Sequence, residues 1–349
     1  MRVLVTGGAG FIGSNFIRLL LAQRPAWEVV SVDKLTYAGN LENISDLRDH
    51  LGYRFIQADI CDRPLMDALF SPPRRVDAVI NFAAETHVDR SIEDAAAFVR
   101  SNVLGTQTLL DVARQRGVGC FLQVSTDEVY GSVDPPGAFS EESPLAPNSP
   151  YAASKAAADL LVHAYSRTYR IPVITVRSSN NYGPYQFPEK LIPLFITGAL
   201  ADRPLPLYGD GLYVRDWVYV VDHCRALLHI LEAGRVEEIY NVGGGARHSN
   251  LEVARMILRE LGKPESLITF VADRPGHDRR YALDCQKIQR ELGWVPTTTF
   301  PEGLRTTVRW YVEHEGWWRR IQAGEYQEYY RRQYGPRLPA TADRGRIER

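Results

Sequence analysis

Seven residues near the start of the chain, Gly7-Gly8-Ala9-Gly10-Phe11-Ile12-Gly13, constrain its fold more than any other feature. They follow an apolar run, Arg2–Thr6, that predicts a buried strand, and they open a helical pattern over Ile12–Gln23. A glycine-rich turn between a strand and a helix lets the backbone approach a pyrophosphate, and the helix N-terminus offers free N–H groups. The segment therefore predicts a dinucleotide site on an α/β fold.

Short apolar runs alternate with longer helical patterns over the first half of the chain. Helical patterns cover Phe98–Gln115 and Tyr151–Tyr169 in addition to the first helix. Such alternation is typical of a doubly wound parallel sheet, so we expect a Rossmann-type α/β domain over residues 1–180. The predicted strands are Arg2–Thr6, Val29–Val32, Arg54–Gln57, Ala78–Phe82, Phe121–Val124 and Val173–Val176.

The second half of the chain has a different residue pattern. Proline and glycine punctuate residues 181–211, and the strands predicted after them, Tyr213–Tyr219, Ile239–Val242 and Ile268–Val271, are short. We expect a smaller C-terminal α/β lobe over residues 181–335 that binds the substrate, with the helix pattern at Asp222–Ala233 returning to the sheet. The charged, proline-containing residues 336–349 are expected to form a flexible tail.

Composition excludes several classes of protein. The chain has 41 Lys and Arg against 42 Asp and Glu, so it lacks the basic surplus that nucleic-acid binding needs. The chain has no run of about 18 apolar residues, so the sequence predicts no membrane span. The four cysteines form no CxxC pair and are expected to be free thiols in the cytoplasm. The histidines are not spaced as ligands, so we expect no metal.

Asp33 lies 20 residues beyond Gly13, at the end of the second predicted strand. A carboxylate there accepts a hydrogen bond from a ribose 2′-hydroxyl and repels a 2′-phosphate, which favours NAD over NADP. Lys34 is the one discordant neighbour. Asp59 and Ile60 follow the third strand and are candidates for contact with the adenine.

Tyr151 and Lys155 are four residues apart in a predicted helix and therefore share a face. An ammonium group beside a phenol lowers the phenol's pKa from about 10, and the charge of a nicotinamide acts in the same direction. We expect this tyrosine to take a proton from a sugar hydroxyl as hydride leaves the same carbon.

Thr126, Asp127 and Glu128 stand at the end of the fifth predicted strand, the edge at which open α/β sheets bind ligands. Thr126 can hydrogen-bond the reacting hydroxyl. Neighbouring acids can divide into one protonated and one ionised carboxyl group. Because side chains alternate along a strand, both acids reach one substrate only if the chain leaves the strand near Asp127.

With these motifs, the chain resembles the extended short-chain dehydrogenase/reductase family over residues 1–335, and its longer motifs resemble those of the nucleotide-sugar 4,6-dehydratases in that family. The resemblance implies NAD as cofactor, dTDP-glucose as substrate and a homodimer formed through the Phe98–Gln115 and Tyr151–Tyr169 helices. The longer motifs are Asp33-Lys34-Leu35-Thr36, Ser125–Gly131, Asn180–Leu191, Arg215-Asp216-Trp217 and Asp273–Arg280.

The resemblance also implies a reaction. Tyr151, supported by Lys155 and Thr126, takes the proton of the glucose 4-hydroxyl while hydride passes from carbon 4 to NAD. Glu128 then removes the proton on carbon 5, and protonated Asp127 donates to the departing 6-hydroxyl. Hydride returns to carbon 6, and the product is dTDP-4-dehydro-6-deoxyglucose.

Two sets of binding residues follow from the same resemblance. Within the substrate set, Pro206 and Tyr208 bracket the base, and Tyr334 closes over the diphosphate and ribose. The NAD set is Gly7, Gly10, Phe11, Ile12, Gly13, Asp33, Lys34, Leu35, Thr36, Asp59, Ile60, Phe82, Ala83, Ala84, Ser101, Tyr151, Lys155 and Asn181. The substrate set is Thr86, Thr126, Asn180, Lys190, Leu191, Pro206, Tyr208, Arg215, Asn250, Arg274, His277 and Tyr334.

Three other functions stay open at this point. A nucleotide-sugar 4-epimerase shares the glycine motif and the Tyr151–Lys155 pair but needs no acid pair for elimination. A 4,6-dehydratase for a GDP- or UDP-sugar differs only in the residues that contact the base. A non-catalytic NAD-binding regulator has no need of the catalytic residues.

Overall fold

The computed structural model describes residues 1–71, 75–323 and 325–338. Seven parallel strands form its large sheet in the order β10-β6-β5-β4-β1-β2-β3. Parallel strands buried on both faces read as continuous apolar runs, which is how they appear in the sequence. The strands of this sheet are β1 (Arg2–Thr6), β2 (Glu28–Asp33), β3 (Tyr53–Gln57), β4 (Ala78–Asn81), β5 (Cys120–Thr126), β6 (Val173–Ser178) and β10 (Ile239–Val242).

Two smaller sheets build the C-terminal part of the molecule. The first has the order β11-β9-β7 and the second pairs β12 with β8. Their strands are β7 (Asn180–Tyr182), β8 (Leu205–Tyr208), β9 (Val214–Tyr219), β11 (Ala246–Ser249) and β12 (Ile268–Val271).

Helices cover both faces of the large sheet and fill the C-terminal part. In chain order they are α1 (Phe11–Gln23), α2 (Arg63–Phe70), α3 (Val88–Glu93), α4 (Ala95–Phe98), α5 (Thr106–Arg116), α6 (Pro150–Tyr169), α7 (Leu191–Leu200), α8 (Val220–Ala233), α9 (Asn250–Glu260), α10 (Gln286–Leu292), α11 (Phe300–Glu313), α12 (Glu315–Gln322) and α13 (Glu325–Tyr334).

The apolar core lies in three main clusters. One cluster joins α1 and α8 to the sheet, and a second joins α2, α5 and α6 to it. The third fills the C-terminal part and includes the buried rings of Tyr311, Trp317 and Trp318. These layers fix the carboxyl ends of β1, β2, β4, β5 and β6 at one edge of the sheet. The strand order reverses between β1 and β4, and open α/β sheets bind ligands at such a reversal.

The strand at Ile239–Val242 corrects the sequence analysis, which assigned it to the smaller lobe. It pairs in parallel with β6 and forms an edge of the large sheet. Helix α8, just before it, packs against α1 in the core of that sheet. The chain therefore returns to the first sheet after it has begun the C-terminal part.

The helix expected over Phe98–Gln115 is also interrupted. The chain passes from α4 into a π-helical turn at Val99–Gly105 and then into α5. The turn carries Asn102, whose side chain accepts from the Glu85 N–H at 2.9 Å and donates to Ser154 Oγ at 2.8 Å. Wide turns of this kind occur frequently at functional sites.

The start of the expected tail is ordered rather than frayed. Residues Gly335–Arg337 form a 3₁₀ turn, and the Arg337 guanidinium donates to the Tyr208 hydroxyl at 2.9 Å. Residues 339–349 of the expected tail lie outside the described residues.

Candidate active site

The turn between β1 and α1 forms one end of a cavity at the carboxyl edge of the large sheet, here called the first cavity. Gly7 has φ of +68°, a conformation that residues with a side chain rarely adopt, and a Cβ at Gly13 would lie 2.3 Å from the Gly7 carbonyl oxygen. Among the described residues, no side chain caps the N-terminus of α1. Its first N–H groups remain available to a phosphate, so the turn fits the pyrophosphate of a dinucleotide.

Asp33 ends β2 at the same edge and is held in place by the backbone. Its two carboxylate oxygens accept from the N–H groups of Ala9 at 3.0 Å and Leu35 at 2.8 Å. Lys34, the discordant neighbour, pairs with Asp59 at 2.9 Å. Asp59 also pairs with Arg100 at 3.5 Å, so it offsets part of the lysine charge and weakens the attraction of Lys34 for a 2′-phosphate.

Tyr151 and Lys155 both lie on α6 and line the first cavity, as the spacing predicts. Lys155 Nζ donates to the Val124 carbonyl oxygen at 2.7 Å, and burial lowers the pKa of this amine to about 8. One helical turn further on, Asp159 forms a buried ion pair with Arg177 at 2.9 Å. The carboxylate of Asp159 acts on Lys155 in the direction that favours the ammonium form.

The state of the Tyr151 phenol differs from the expectation. Burial and the charges of Glu128 and Asp127 raise its pKa above the usual value, and the hydrogen bond with Thr126 offsets only part of this increase. Spacing along a helix predicts that two side chains share a face, but it does not determine to which acceptor the lysine donates its hydrogen bond. Lys155 donates to a backbone carbonyl oxygen.

Asp127 and Glu128 meet the geometric condition set by the sequence. The strand β5 ends at Thr126, and Asp127 begins a 3₁₀ turn that runs to Tyr130. The Thr126 hydroxyl accepts from the Glu128 N–H at 3.3 Å and lies 3.4 Å from Asp127 Oδ1. Both acids therefore line the first cavity.

The two acids differ in their surroundings. Asp127 is 1% exposed, and burial together with the charges of Glu128 and Asp216 raises its pKa well above the usual range. Burial also raises the pKa of Glu128, but the nearby cations Arg274, Lys190 and Arg215 oppose that increase. This environment favours a proton on Asp127 and an ionised carboxylate on Glu128.

A second cavity adjoins the first, and Glu128, Asn180, Glu189 and Lys190 line both. The Arg215 guanidinium is buried there and donates to two carbonyl oxygens, of Val214 at 2.8 Å and of Asp278 at 2.9 Å. Carbonyl partners leave its charge available to an anion.

All the predicted site residues except Leu35 line one or both cavities. Leu35 contributes through its backbone, since its N–H holds Asp33. In the first cavity are Gly7, Gly10, Phe11, Ile12, Gly13, Asp33, Lys34, Thr36, Asp59, Ile60, Phe82, Ala83, Ala84, Thr86, Ser101, Thr126, Asp127, Glu128, Tyr151, Lys155, Asn180, Asn181 and Lys190. In the second are Glu128, Asn180, Lys190, Leu191, Pro206, Tyr208, Arg215, Asn250, Arg274, His277 and Tyr334.

The cavities also contain buried polar residues that the sequence analysis missed, among them Glu85, Asp89, Glu189 and Tyr281. Glu189 lies inside the motif Asn180–Leu191, so its position was visible in the sequence although its burial was not. Asp89 carries no such signal, because its partners lie more than 100 residues away in the chain.

The described residues contain no group of three or more His, Cys, Asp or Glu side chains arranged to hold a metal ion. In the same part of the chain, no helix is both long and apolar enough to cross a membrane.

Comparison with known proteins identifies the family. A family profile described as GDP-mannose 4,6 dehydratase matches residues 4–307. A dTDP-glucose 4,6-dehydratase from Streptomyces niveus is 50% identical over 327 residues, which cover 93% of this chain and 96% of that protein. The chain belongs to the extended short-chain dehydrogenase/reductase family.

Solved structures of this family are similar along almost the whole chain. The dTDP-glucose 4,6-dehydratase DesIV from Streptomyces venezuelae, with NAD and dTDP bound, is 54% identical with a TM-score of 0.89 and covers 92% of this chain and 100% of its own. A UDP-glucose 4-epimerase from Thermotoga maritima has a TM-score of 0.83 at 30% identity, covering 90% of this chain and 99% of its own. The fold is thus common to both activities, and sequence identity is higher to the dehydratase.

Proposed function

We propose that this protein converts dTDP-glucose to dTDP-4-dehydro-6-deoxyglucose by removing water across carbons 5 and 6. The observation that carries the proposal is that Asp127 and Glu128 line the same cavity as Tyr151, Lys155 and the glycine turn. A 4-epimerase uses the tyrosine and the dinucleotide but has no need of an acid–base pair. The higher identity to dTDP-glucose 4,6-dehydratases supports the same choice.

The reaction begins at the hexose 4-hydroxyl. The glycine turn and Asp33 would hold NAD, which would supply the hydride acceptor for carbon 4 and the hydride donor for carbon 6, and whose nicotinamide charge would favour the Tyr151 phenolate. Tyr151 removes the proton of the 4-hydroxyl, and the Thr126 hydroxyl stabilises the phenolate by a hydrogen bond. Lys155 orders this end of the site through the Val124 carbonyl and supplies a nearby positive charge.

Elimination of water follows from the unequal environments of the two acids. A ketone at carbon 4 acidifies the proton on carbon 5, and the Glu128 carboxylate removes it. Asp127, which burial keeps protonated, donates its proton to the departing 6-hydroxyl, so that water leaves. Glu128 returns its proton to carbon 5 when hydride reaches carbon 6. Tyr151 then releases to solvent the proton that it took from the 4-hydroxyl, and Asp127 takes one from solvent, so that both groups regain their starting states.

The nucleotide half of the substrate occupies the second cavity in this proposal. Arg215 and Arg274 supply the cations for a diphosphate, and forked guanidinium donors suit phosphate oxygens. The ring of Tyr208 supplies a flat apolar surface for the base. Glu128 lines both cavities, which fits a hexose that lies between diphosphate and nicotinamide.

Incubation of the purified protein with dTDP-glucose, UDP-glucose and GDP-mannose tests reaction and specificity together. We expect mass spectrometry to find loss of one water from the thymidine sugar alone. A C4 epimer with unchanged mass would support the epimerase instead, and water loss from another sugar would change the assigned substrate.

The variant Glu128→Gln tests the base. It is expected to oxidise carbon 4 normally but to eliminate water about 10²–10⁴-fold more slowly, the usual contribution of general base catalysis. Dehydration at the wild-type rate would refute the role of Glu128.

We also propose that the protein is a homodimer formed through the π-helical turn, α5 and α6. Large apolar side chains are exposed on the π-helical turn, with Val99 at 55% and Leu104 at 45% exposure, and on α6, with Leu160 at 60%. When this face packs against the same face of a second chain, these side chains are removed from water. Sedimentation should find a dimer for the wild type and for the control Leu51→Arg, and a monomer for Leu160→Arg.

Localisation in the cytoplasm completes the proposal. The four cysteines are free thiols: Cys61, Cys120, Cys224 and Cys285. Free thiols persist in a reducing compartment.

A further inference from the structure

Asp89 lies on α3 in the wall of the second cavity, with a carboxylate that is 4% exposed. One oxygen, Oδ1, accepts from Arg274 Nη1 at 2.9 Å. The other, Oδ2, accepts from the Tyr208 hydroxyl and from Gln333 Nε2, both at 2.9 Å. One buried carboxylate therefore joins residues from β8, the segment after β12, and α13.

The contacts of Arg274 show that the guanidinium is only partly used by the protein. Its Nε is buried and has no hydrogen-bond partner among the described residues. A guanidinium carries five N–H donors in a rigid plane, so a contact at one nitrogen fixes the direction of the others. The contact with Asp89 leaves donors free for an anion in the cavity that Arg274 lines.

The Tyr208 hydroxyl is fixed from several sides. It donates to Asp89 and accepts from Gln333 Nε2 and from Arg337 Nη1, both at 2.9 Å. The Arg274 guanidinium carbon also lies 5.9 Å from the centre of the Tyr208 ring. A phenol held in this way cannot turn freely, so its ring presents a constant surface to the cavity.

We propose that Asp89 is a positioning residue, whose carboxylate orients the Arg274 guanidinium toward the diphosphate and the Tyr208 ring toward the base of the bound nucleotide. The inference rests on the proposed function, because it takes the second cavity as the nucleotide site. A buried ion pair adds little to folding stability on average, since desolvation of both charges offsets their attraction. A role in orienting a ligand therefore accounts for the Asp89–Arg274 pair better than a contribution to folding stability does.

The electrostatics of the cluster agree with this role. Burial would raise the pKa of Asp89, but Arg274, His87 and the hydrogen bonds outweigh burial and lower it to about 2. The carboxylate is therefore ionised at neutral pH. A carboxylate without a cationic partner would repel a diphosphate. Because the Arg274 guanidinium covers the Asp89 carboxylate, a diphosphate can approach only on the side of the guanidinium.

The test compares Asp89→Asn with a matched control on the same helix. Glu93 forms an exposed ion pair with Arg332 of α13 at 2.9 Å, so Glu93→Gln breaks a contact between the same two helices outside the cavity. The probe is dTDP, titrated into the NAD-bound protein in a calorimeter. We expect Asp89→Asn to weaken dTDP binding about 10- to 100-fold, the usual cost of losing hydrogen bonds to charged groups, and Glu93→Gln to leave it unchanged.

Kinetics separate positioning from a structural role. The KM for dTDP-glucose should rise with the Kd for dTDP, while kcat and NAD affinity stay close to those of the wild type. Because Asp89 acts in part through Arg274, Asp89→Asn should cost less dTDP affinity in an Arg274→Gln background than in the wild type. Additive losses, or equal losses of dTDP and NAD affinity, would overturn the inference.

Three further outcomes are decisive. If Asp89→Asn does not fold, Asp89→Glu keeps the charge but displaces the carboxylate, and wild-type dTDP affinity in that variant would overturn the inference. If the wild-type protein dehydrates dTDP-glucose and Asp89→Asn binds dTDP equally well, only the inference fails. If the wild type binds no dTDP, the proposed function fails and the inference fails with it.

Discussion

Asp127 gives a prediction in which activity and stability change in opposite directions. It is 1% exposed, and burial raises its pKa well above the usual range, so the folded protein holds it protonated. Asparagine has nearly the same size and carries no charge. Asp127→Asn should therefore lose the proton donor, with dehydration about 10²–10⁴-fold slower, and yet fold more stably than the wild type at neutral pH.

The magnitude of the stability change follows from proton linkage. Above pH of about 4 the unfolded chain releases the Asp127 proton, while the folded protein keeps it until the pH reaches the raised pKa. Over that interval the wild type loses about 1.4 kcal/mol of stability per pH unit, and the asparagine variant does not. The advantage of the variant should thus grow from pH 4 upward until the pH reaches the raised pKa of Asp127, with about 4 kcal/mol as the upper limit at pH 7.

Thermal unfolding at a series of pH values between 4 and 7 measures this difference. For a chain of this length, 1 kcal/mol corresponds to a melting-temperature change of about 1–2 °C. The exposed Glu142 supplies the control, because Glu142→Gln removes an acid outside the site and should show no such widening gap. A gap that closes or reverses as the pH rises would mean that Asp127 is ionised in the folded protein, which would refute its role as general acid.

Three other perturbations have defined outcomes. Gly13→Ala places a Cβ 2.3 Å from a backbone oxygen of the glycine turn and should abolish NAD retention on purification, whereas Gly335→Ala, with nothing within 4 Å, should not. Asp33→Ala should raise the Kd for NAD and reduce the preference for NAD over NADP, measured by titration with both. Arg177→Ala leaves a buried carboxylate unpaired and should cost about 3–5 kcal/mol in urea unfolding. The exposed ion pair broken by Arg167→Ala should cost less than about 1 kcal/mol.

Local sequence signals predicted the parts of the site that depend on neighbours in the chain. The glycine turn requires a strand before it and a helix after it, and both are present within Arg2–Gln23. The pair Tyr151 and Lys155 requires only that one helix continue through both residues. The acid pair followed from its place at the end of β5.

Features that depend on distant parts of the chain could not be predicted in this way. The short run Ile239–Val242, three of whose four residues are apolar, predicts a strand, but nothing in it determines which sheet it joins. The role of Asp89 depends on Arg274, Tyr208 and Gln333, which folding brings together from 119 to 244 residues away. The pKa of Tyr151 depends on how deeply the finished structure buries it.

The return of the chain to its first sheet has a consequence for any attempt to dissect the protein. A fragment that stops at Asn180 would lack both the edge strand β10 and the helix α8 that packs on α1. It would expose the apolar face of α1 and the unpaired edge of β6 to water. The two halves are thus not interchangeable modules, and swapping the C-terminal half between relatives to alter specificity would require transferring a piece of the nucleotide-binding scaffold as well.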